Sequence, residues 1–198
     1  MIGMLGVDCK ILKKNNMEKK IILGFVGEMV SGKGTVAEHL QKNHRASTHR
    51  FSTMLRDVAD RVYLEKSRFN LQKLSQVLRE NFSQDIMARV IAEEVKNDAS
   101  KIVIIEGIRR FADIEYLKRI ENFKLVYITA DIKTRYERLT KRQENTDDQL
   151  KTFEDFKKDH EHESESQVQE VGKTAEYIID NKGNFDELYK QVDEILNK

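Results

Sequence analysis

The sequence predicts an α/β fold: a parallel sheet of about five strands with helices on both faces. Three observations carry this expectation. Ile21–Val26 is an uninterrupted apolar run, as a strand buried on both faces requires. Short apolar runs then alternate with long amphipathic stretches, the pattern of successive βα units. The first run leads directly into Gly27-Glu-Met-Val-Ser-Gly32-Lys33-Gly34-Thr35, a Gly-x4-Gly-Lys phosphate loop between a predicted strand and a predicted helix.

The remaining elements follow from spacing. A helix runs from the loop to about Asn43, and residues 48–51 form a short second strand. Residues 52–66 read as a helix. Residues 70–97 read as one long helix or two, with Leu71, Leu74 and Leu78 on one stripe, Met87, Ile91 and Val95 on another, and the break at 81–83. Residues 102–105 form a second buried strand ended by Glu106-Gly107, and a helix starts near Phe111. A strand covers 125–129, and Ile132, Tyr136 and Leu139 mark the next helix face. Residues 143–174 are nearly all polar and read as an exposed, mobile loop and helix. Residues 177–179 form the last strand, 180–184 a turn, and Phe185, Leu188, Val192 and Ile195 the closing helix. There is no internal repeat and no low-complexity linker.

With 198 residues the chain is expected to form one domain over 17–198. Residues 1–16 read as a dispensable extension ahead of Met17, or as an upstream start-site choice; Asp8 and Cys9 form no constellation. Charge is almost balanced, 35 basic against 34 acidic side chains. This argues against a nucleic-acid polymer as ligand, because such binders carry a basic surplus. A local basic cleft remains compatible. The single cysteine excludes an internal disulfide and any multi-cysteine zinc site, and suits a reducing, cytoplasmic setting. No apolar run approaches the roughly 18–20 residues of a membrane helix, and the N-terminus lacks the features of a signal peptide.

The phosphate loop is the most specific signal. Its glycines, Gly27, Gly32 and Gly34, let backbone N–H groups of the stretch through Val30 and Ser31 turn inward around phosphate oxygens. The following helix adds its N-terminal dipole, and Lys33 adds a point charge on the β- and γ-phosphates of ATP. The hydroxyl that usually follows the lysine is displaced by one residue, to Thr35, so Mg²⁺ is expected to be held largely through water. Thr35 and Glu106, an acid at the end of a buried strand, are the candidate metal residues.

The GKGT form of this loop resembles nucleoside monophosphate kinases of the adenylate, UMP/CMP and bacterial cytidylate type. Phe51-Ser-Thr-Met-Leu-Arg56 is similar to that family's acceptor-binding stretch without its Gly-Asp pair. Glu106-Gly-Ile-Arg109 is similar to its Asp-Gly-Phe-Pro-Arg turn, and Arg138-Leu-Thr-Lys-Arg142 to the arginine pair flanking its lid. A nearer resemblance is to archaeal-type P-loop proteins labelled adenylate-kinase-like or dephospho-CoA-kinase-like. These share the acid-Gly-Ile-Arg turn, a Thr-Arg-x-Glu-Arg-Leu helix (134–139) and a following Asp147-Asp148. The sequence departs from the adenylate kinase lid: Glu144 and Asn145 precede the Asp pair, and Lys157 and Lys158 follow it.

The resemblance implies a P-loop NTPase three-layer fold, with acceptor-binding helices over 52–98 and a lid over 143–170. It implies Ser52, Thr53, Arg56 and Arg109 at the acceptor and Arg138 and Arg142 at ATP; Arg79, one position beyond the Leu71-Leu74-Leu78 stripe, is expected to reach the acceptor as well. Lys33, Arg109, Glu106 and Arg142 would act in catalysis. Each has a plain alternative: solvated helix charges for Arg56, Arg138 and Arg142, ion pairs for Arg109 and Glu106, N-caps for Ser52 and Thr53. Arg110 and Arg135 rank behind their neighbours. Asp147 and Asp148 read as a hinge or an exposed turn. His160 and His162 point to different helix faces and read as solvated rather than metal-binding. Residues 181–184 stand where this fold class holds the base of ATP. The activity implied is Mg²⁺-dependent transfer of the ATP γ-phosphoryl group to a nucleoside or deoxynucleoside monophosphate. The alternatives are a dephospho-CoA-kinase-like enzyme, which needs a carboxylate base near a hydroxyl acceptor, and a regulatory ATPase without a small acceptor.

Overall fold

The computed structural model describes residues 19–141, 151–159 and 167–197. Five strands form one sheet: β1 (Ile21–Val26), β2 (Ser47–Arg50), β3 (Ile102–Ile108), β4 (Phe123–Thr129) and β5 (Tyr177–Asp180). All pairings are parallel and the order is β2-β3-β1-β4-β5. β1 is central, which explains its unbroken apolar sequence. Its alternate residues feed two cores. Leu23 and Phe25 pack with Val36 and Leu40 of α1 (Lys33–His44) and with Leu188 and Val192 of α9 (Phe185–Leu196). Ile22 and Val26 pack on the other face with α2 (Phe51–Arg61), α4 (Ile86–Asn97) and α5 (Phe111–Leu117). Each fully buried side chain of this kind contributes about 1.5–3 kcal/mol. This is the three-layer P-loop NTPase fold. No helix among the described residues is long and apolar enough to cross a membrane.

Several elements differ from their expected bounds. β3 does not end at Glu106-Gly107 but continues to Ile108. Phe25 pairs with Glu106 and Val26 with Ile108, so Gly107 is the extra residue of a bulge. Its φ of 91° suits glycine. α2 stops at Arg61 rather than near 66, because Tyr63 takes a left-handed φ of 55°. The long stretch is two helices: α3 (Arg68–Asn81), whose N-cap Ser67 accepts the Asn70 N–H, and α4.

The stretch 143–174 is not simply exposed where it is described. α7 (Phe153–Asp159) buries Phe156, and α8 (Val168–Lys173) buries Val168 and Val171 in the α2-side core. A Cβ on Gly172 would lie 2.7 Å from the Tyr127 ring, so α8 lies tight on β4. α6 (Ile132–Lys141) precedes the stretch. The 1–16 extension lies outside the described residues.

Candidate active site

β1 delivers the chain into the phosphate loop and α1 leaves it. Gly27 has no room for a side chain, since a Cβ would lie 2.2 Å from the Ile128 carbonyl oxygen. Gly32, the N-cap of α1, has φ 104°, and its Cβ would meet the Asn181 amide at 2.1 Å. Val30 holds φ 61°, which costs a non-glycine residue about 1–2 kcal/mol. Neighbouring elements therefore force the loop's shape. The first turn of α1 has no side-chain cap and no acidic residue. A helix start without cap or acid leaves its dipole for an anion.

Lys33 and Thr35 stand in that turn. The Lys33 ammonium donates to the carbonyl oxygens of Gly27 (2.6 Å) and Glu28 (2.8 Å) and so folds over the loop. Ser31 is fully buried, its N–H donating to Glu28 O at 3.2 Å. At Gly34 a Cβ would meet nothing within 4 Å. The structure thus has space for the hydroxyl side chain that the sequence lacks there.

Asn181, just beyond β5, fastens the loop. Its Nδ2 donates to Ser31 O at 2.8 Å, and its backbone N–H donates to Thr129 O at 2.8 Å. Its carbonyl oxygen accepts Arg138 Nη2 at 2.8 Å. Within the turn read as a base contact, Asn181 is buried and serves as this anchor. Arg138, from α6, is thereby brought to the loop, and its Nη1 is buried with no hydrogen-bond partner. Arg135 is also buried and donates to Ala130 O and Met29 O at 3.0 and 3.3 Å.

Strand register sets the other wall. Ile108 pairs with Val26, so Arg109 leaves β3 level with Gly27 leaving β1. Glu106 pairs with Phe25 at the root of the loop and is buried. Its Oε1 accepts Arg50 Nε from the end of β2 at 2.8 Å. Glu106 is thus in an ion pair, but with Arg50, a residue the sequence did not single out, rather than with Lys33 or Arg109. Phe51 lies against Gly107, the nearest atom 3.5 Å from a Cβ built there. Ser52, Thr53 and Arg56 accordingly start α2 beside the bulge. Arg50 occupies the N-cap position of α2, so Ser52 and Thr53 are not N-caps. Arg56 is exposed one turn on.

Arg79 is a correction. It is not held out toward an acceptor: Arg79 Nη2 pairs with Asp113 Oδ1 at 2.8 Å, with both side chains buried. Burial pushes the Asp113 carboxyl above its ordinary value, against the pull of Arg79 and of the Arg109 backbone N–H. Asp113 thus ties α3 to the turn that carries Arg109 and Arg110. Sequence reasoning missed Asp113, although an acid in the first turn of a helix is a recognisable signal.

Glu28 was also missed, because it occupies a variable position of the loop motif. It is 5% exposed. Its Oε1 accepts Tyr127 OH at 2.8 Å and Gln169 Nε2 at 3.4 Å, while Oε2 is buried with no hydrogen-bond partner. Burial, with Glu28 adding to it, raises the Tyr127 phenol above its ordinary value. Gln167, two residues before Gln169, accepts the Phe111 N–H at 3.1 Å. α8 therefore bridges Glu28 and the Arg109–Arg110 turn. Arg142, Asp147, Asp148, His160 and His162 lie outside the described residues.

A family model described as an AAA domain matches residues 23–169. The UPF0200 protein of Methanothermobacter thermautotrophicus is 28% identical over 180 residues, which cover 90% of each chain. The UPF0200 protein of Pyrococcus furiosus is 28% identical over 182 residues, 89% of this chain and 96% of that one. A longer UPF0200/UPF0201 protein of Archaeoglobus fulgidus is 27% identical over 186 residues, and the chain spans 56% of its length. Among solved structures, shikimate kinase from Bacteroides thetaiotaomicron superposes with a TM-score of 0.59 at 13% identity, over 90% of this chain and 99% of that one. TT1252 from Thermus thermophilus gives 0.57 at 17% identity, over 90% and 97%. At such identities the likeness is one of fold alone. With a match over more than half its length and a phosphate loop built as the fold requires, the chain belongs to the AAA-domain family of P-loop proteins.

Proposed function

We propose that the protein is an ATP-dependent kinase whose acceptor is a small phosphorylated molecule, a nucleoside or deoxynucleoside monophosphate. The observation that carries this reading is a shared sheet edge. The loop after β1 offers Lys33 and the α1 amides. The turn after β3 offers Arg109, level with Gly27, and the start of α2 offers Ser52, Thr53 and Arg56. Phosphoryl transfer needs two phosphates held in line amid positive charge, and little covalent help from protein. Lys33 exchanges the Gly27 and Glu28 carbonyls for phosphate oxygens when nucleotide binds. Arg138, anchored on Asn181, sits on the donor side. Arg56 and Arg109 hold the acceptor phosphate. Thr35 and Glu106 are hard oxygen donors near the loop, a chemistry that fits Mg²⁺. When bound, that ion would neutralise charge on the β- and γ-phosphates.

The test is transfer from ATP·Mg²⁺ to all ribo- and deoxynucleoside monophosphates and to dephospho-CoA, with Lys33→Ala beside it. Lys33-dependent diphosphate formation with one or a few monophosphates supports the reading.

One observation favours a second reading, a hydroxyl acceptor as in a dephospho-CoA-kinase-like enzyme. That chemistry needs a carboxylate base, and Glu28 is a buried carboxylate in the loop with one oxygen left over. Under this reading Glu28→Gln lowers kcat about 10²–10⁴-fold with dephospho-CoA, the only acceptor used. Under the first reading the variant keeps monophosphate transfer within about tenfold.

A further inference from the structure

On the α1–α9 face of the sheet, two imidazoles and a carboxylate converge. His39 and His44 lie about 9 and 16 Å along α1 from Lys33, at 1.5 Å per residue. The Nε2 atoms of both lie 3.0 Å from one oxygen, Oδ1 of Asp193 on α9. The three donor atoms all lie within 4.8 Å of one another. The His39 ring stacks on Tyr189, 4.1 Å between centres and 8° between planes, and Tyr189 stacks on Phe185. That stack fixes the direction of His39 Nε2. The Asn43 side-chain amide meets the other His39 nitrogen, Nδ1, at 2.9 Å. The His39 side chain is 10% exposed, while His44 and Asp193 are 33% and 40% exposed, so one side of the cluster opens to water.

We propose that His39, His44 and Asp193 form a binding site for a divalent transition ion of the zinc class. Two imidazole nitrogens and one carboxylate oxygen suit zinc, cobalt or nickel, whereas magnesium and calcium prefer all-oxygen shells. Metal–ligand bonds of about 2.0–2.2 Å place neighbouring donors of a tetrahedron about 3.3 Å apart. The 3.0 Å contacts to Asp193 open by a few tenths of an ångström, and the two Nε2 atoms, now within 4.8 Å of each other, settle at the same spacing as the ion enters. A carboxylate only accepts, so each Nε2 carries its ring's hydrogen in the free protein. Binding moves that hydrogen to Nδ1 of each neutral ring. At His39, Asn43 turns its amide oxygen to receive it, an outer-shell contact of the kind that orients metal-bound histidines. Water fills the open side. The bound ion would bridge α1, which begins at the phosphate loop, to α9.

The test uses the untagged full chain, with cobalt(II) as the optical probe and zinc(II) in calorimetry and melting. One ion binds per chain, with a visible tetrahedral cobalt band, and zinc raises the melting temperature. His44→Gln and Asp193→Asn, both at partly exposed positions, fold as the parent does. Each weakens binding by at least about tenfold and removes the zinc-dependent rise in melting temperature. Millimolar magnesium does not compete. A His160→Gln/His162→Gln control binds as the parent does. Three results would overturn the proposal: no cobalt band and no zinc heat at millimolar metal, binding unchanged in both site variants, or binding lost in the control.

Discussion

The two sides of the cleft hold their cations in different ways. On the donor side backbone carbonyls accept from all three cations: Gly27 and Glu28 from Lys33, Asn181 from Arg138, Ala130 and Met29 from Arg135. On the side of β2, α2 and α3 carboxylates enter: Glu106 pairs with Arg50, and Asp113 pairs with Arg79, which also donates to the Gln84 carbonyl. A neutral carbonyl is a weaker partner than an anion, so a phosphate oxygen displaces it readily. A carboxylate holds its arginine in place, and breaking a buried pair leaves an uncompensated charge. The donor side is therefore built to exchange partners on binding, and the opposite side to hold an arginine-bearing frame still.

The largest expected effect comes from breaking the frame. Arg79→Leu strands a buried Asp113 and costs about 3–5 kcal/mol of folding stability, read by denaturant unfolding. Arg79→Leu with Asp113→Leu recovers most of that loss. A single variant as stable as the parent contradicts the paired frame.

Next comes Lys33→Ala on the donor side. It lowers phosphoryl transfer about 10²–10³-fold, yet leaves the unfolding midpoint close to that of the parent, because the Gly27 and Glu28 carbonyls it releases are neutral and leave no uncompensated charge. An equal loss of stability would erase the distinction between the sides.

Acid sharpens the comparison further. At the C-cap of α4, burial of Asp98 opposes its ionisation, but the nearby Ser47 hydroxyl and hydrogen bonds from Ser100 and His49 outweigh this and hold the carboxyl well below its ordinary value. The folded state then prefers the ionised form. That stability is present above the ordinary carboxylate value of 3.8 and is lost as pH falls below it toward the lowered folded value. Asp98→Asn flattens this part of the acid stability curve, and an unchanged curve refutes the assignment.

The smallest effect is at Gly34. Gly34→Ser meets open space and replaces a poor helix former, so stability stays within about 0.5 kcal/mol or rises. A larger loss, seen in thermal melts, would show that the position is filled in solution.

The parts legible in the sequence were those with a period or a fixed spacing. β1 announced itself as an unbroken apolar run, and the loop as glycines and a lysine at set intervals. The buried ends of the polar stretch were not legible, because α8 has six residues and shows no repeat: Val168 and Val171 are its only large apolar residues. Arg79 was misplaced at the acceptor because a charge beside a leucine stripe looks free to reach a ligand until its partner, Asp113, is brought 34 residues back onto it. Glu28 was hidden inside a motif that leaves its position unspecified. The α1–α9 histidines were hidden because Asp193 reaches them only through tertiary packing.

The central claim, one cleft with a donor side and an acceptor side, is tested most directly by steady-state kinetics with ATP and the acceptor varied independently. Arg56→Ala and Arg109→Ala should raise the acceptor KM at least about tenfold while leaving the ATP KM nearly unchanged, and Lys33→Ala should lower kcat about 10²–10³-fold whichever substrate is varied. Slow ATP hydrolysis indifferent to every acceptor, and equally indifferent to Arg56 and Arg109, would contradict it.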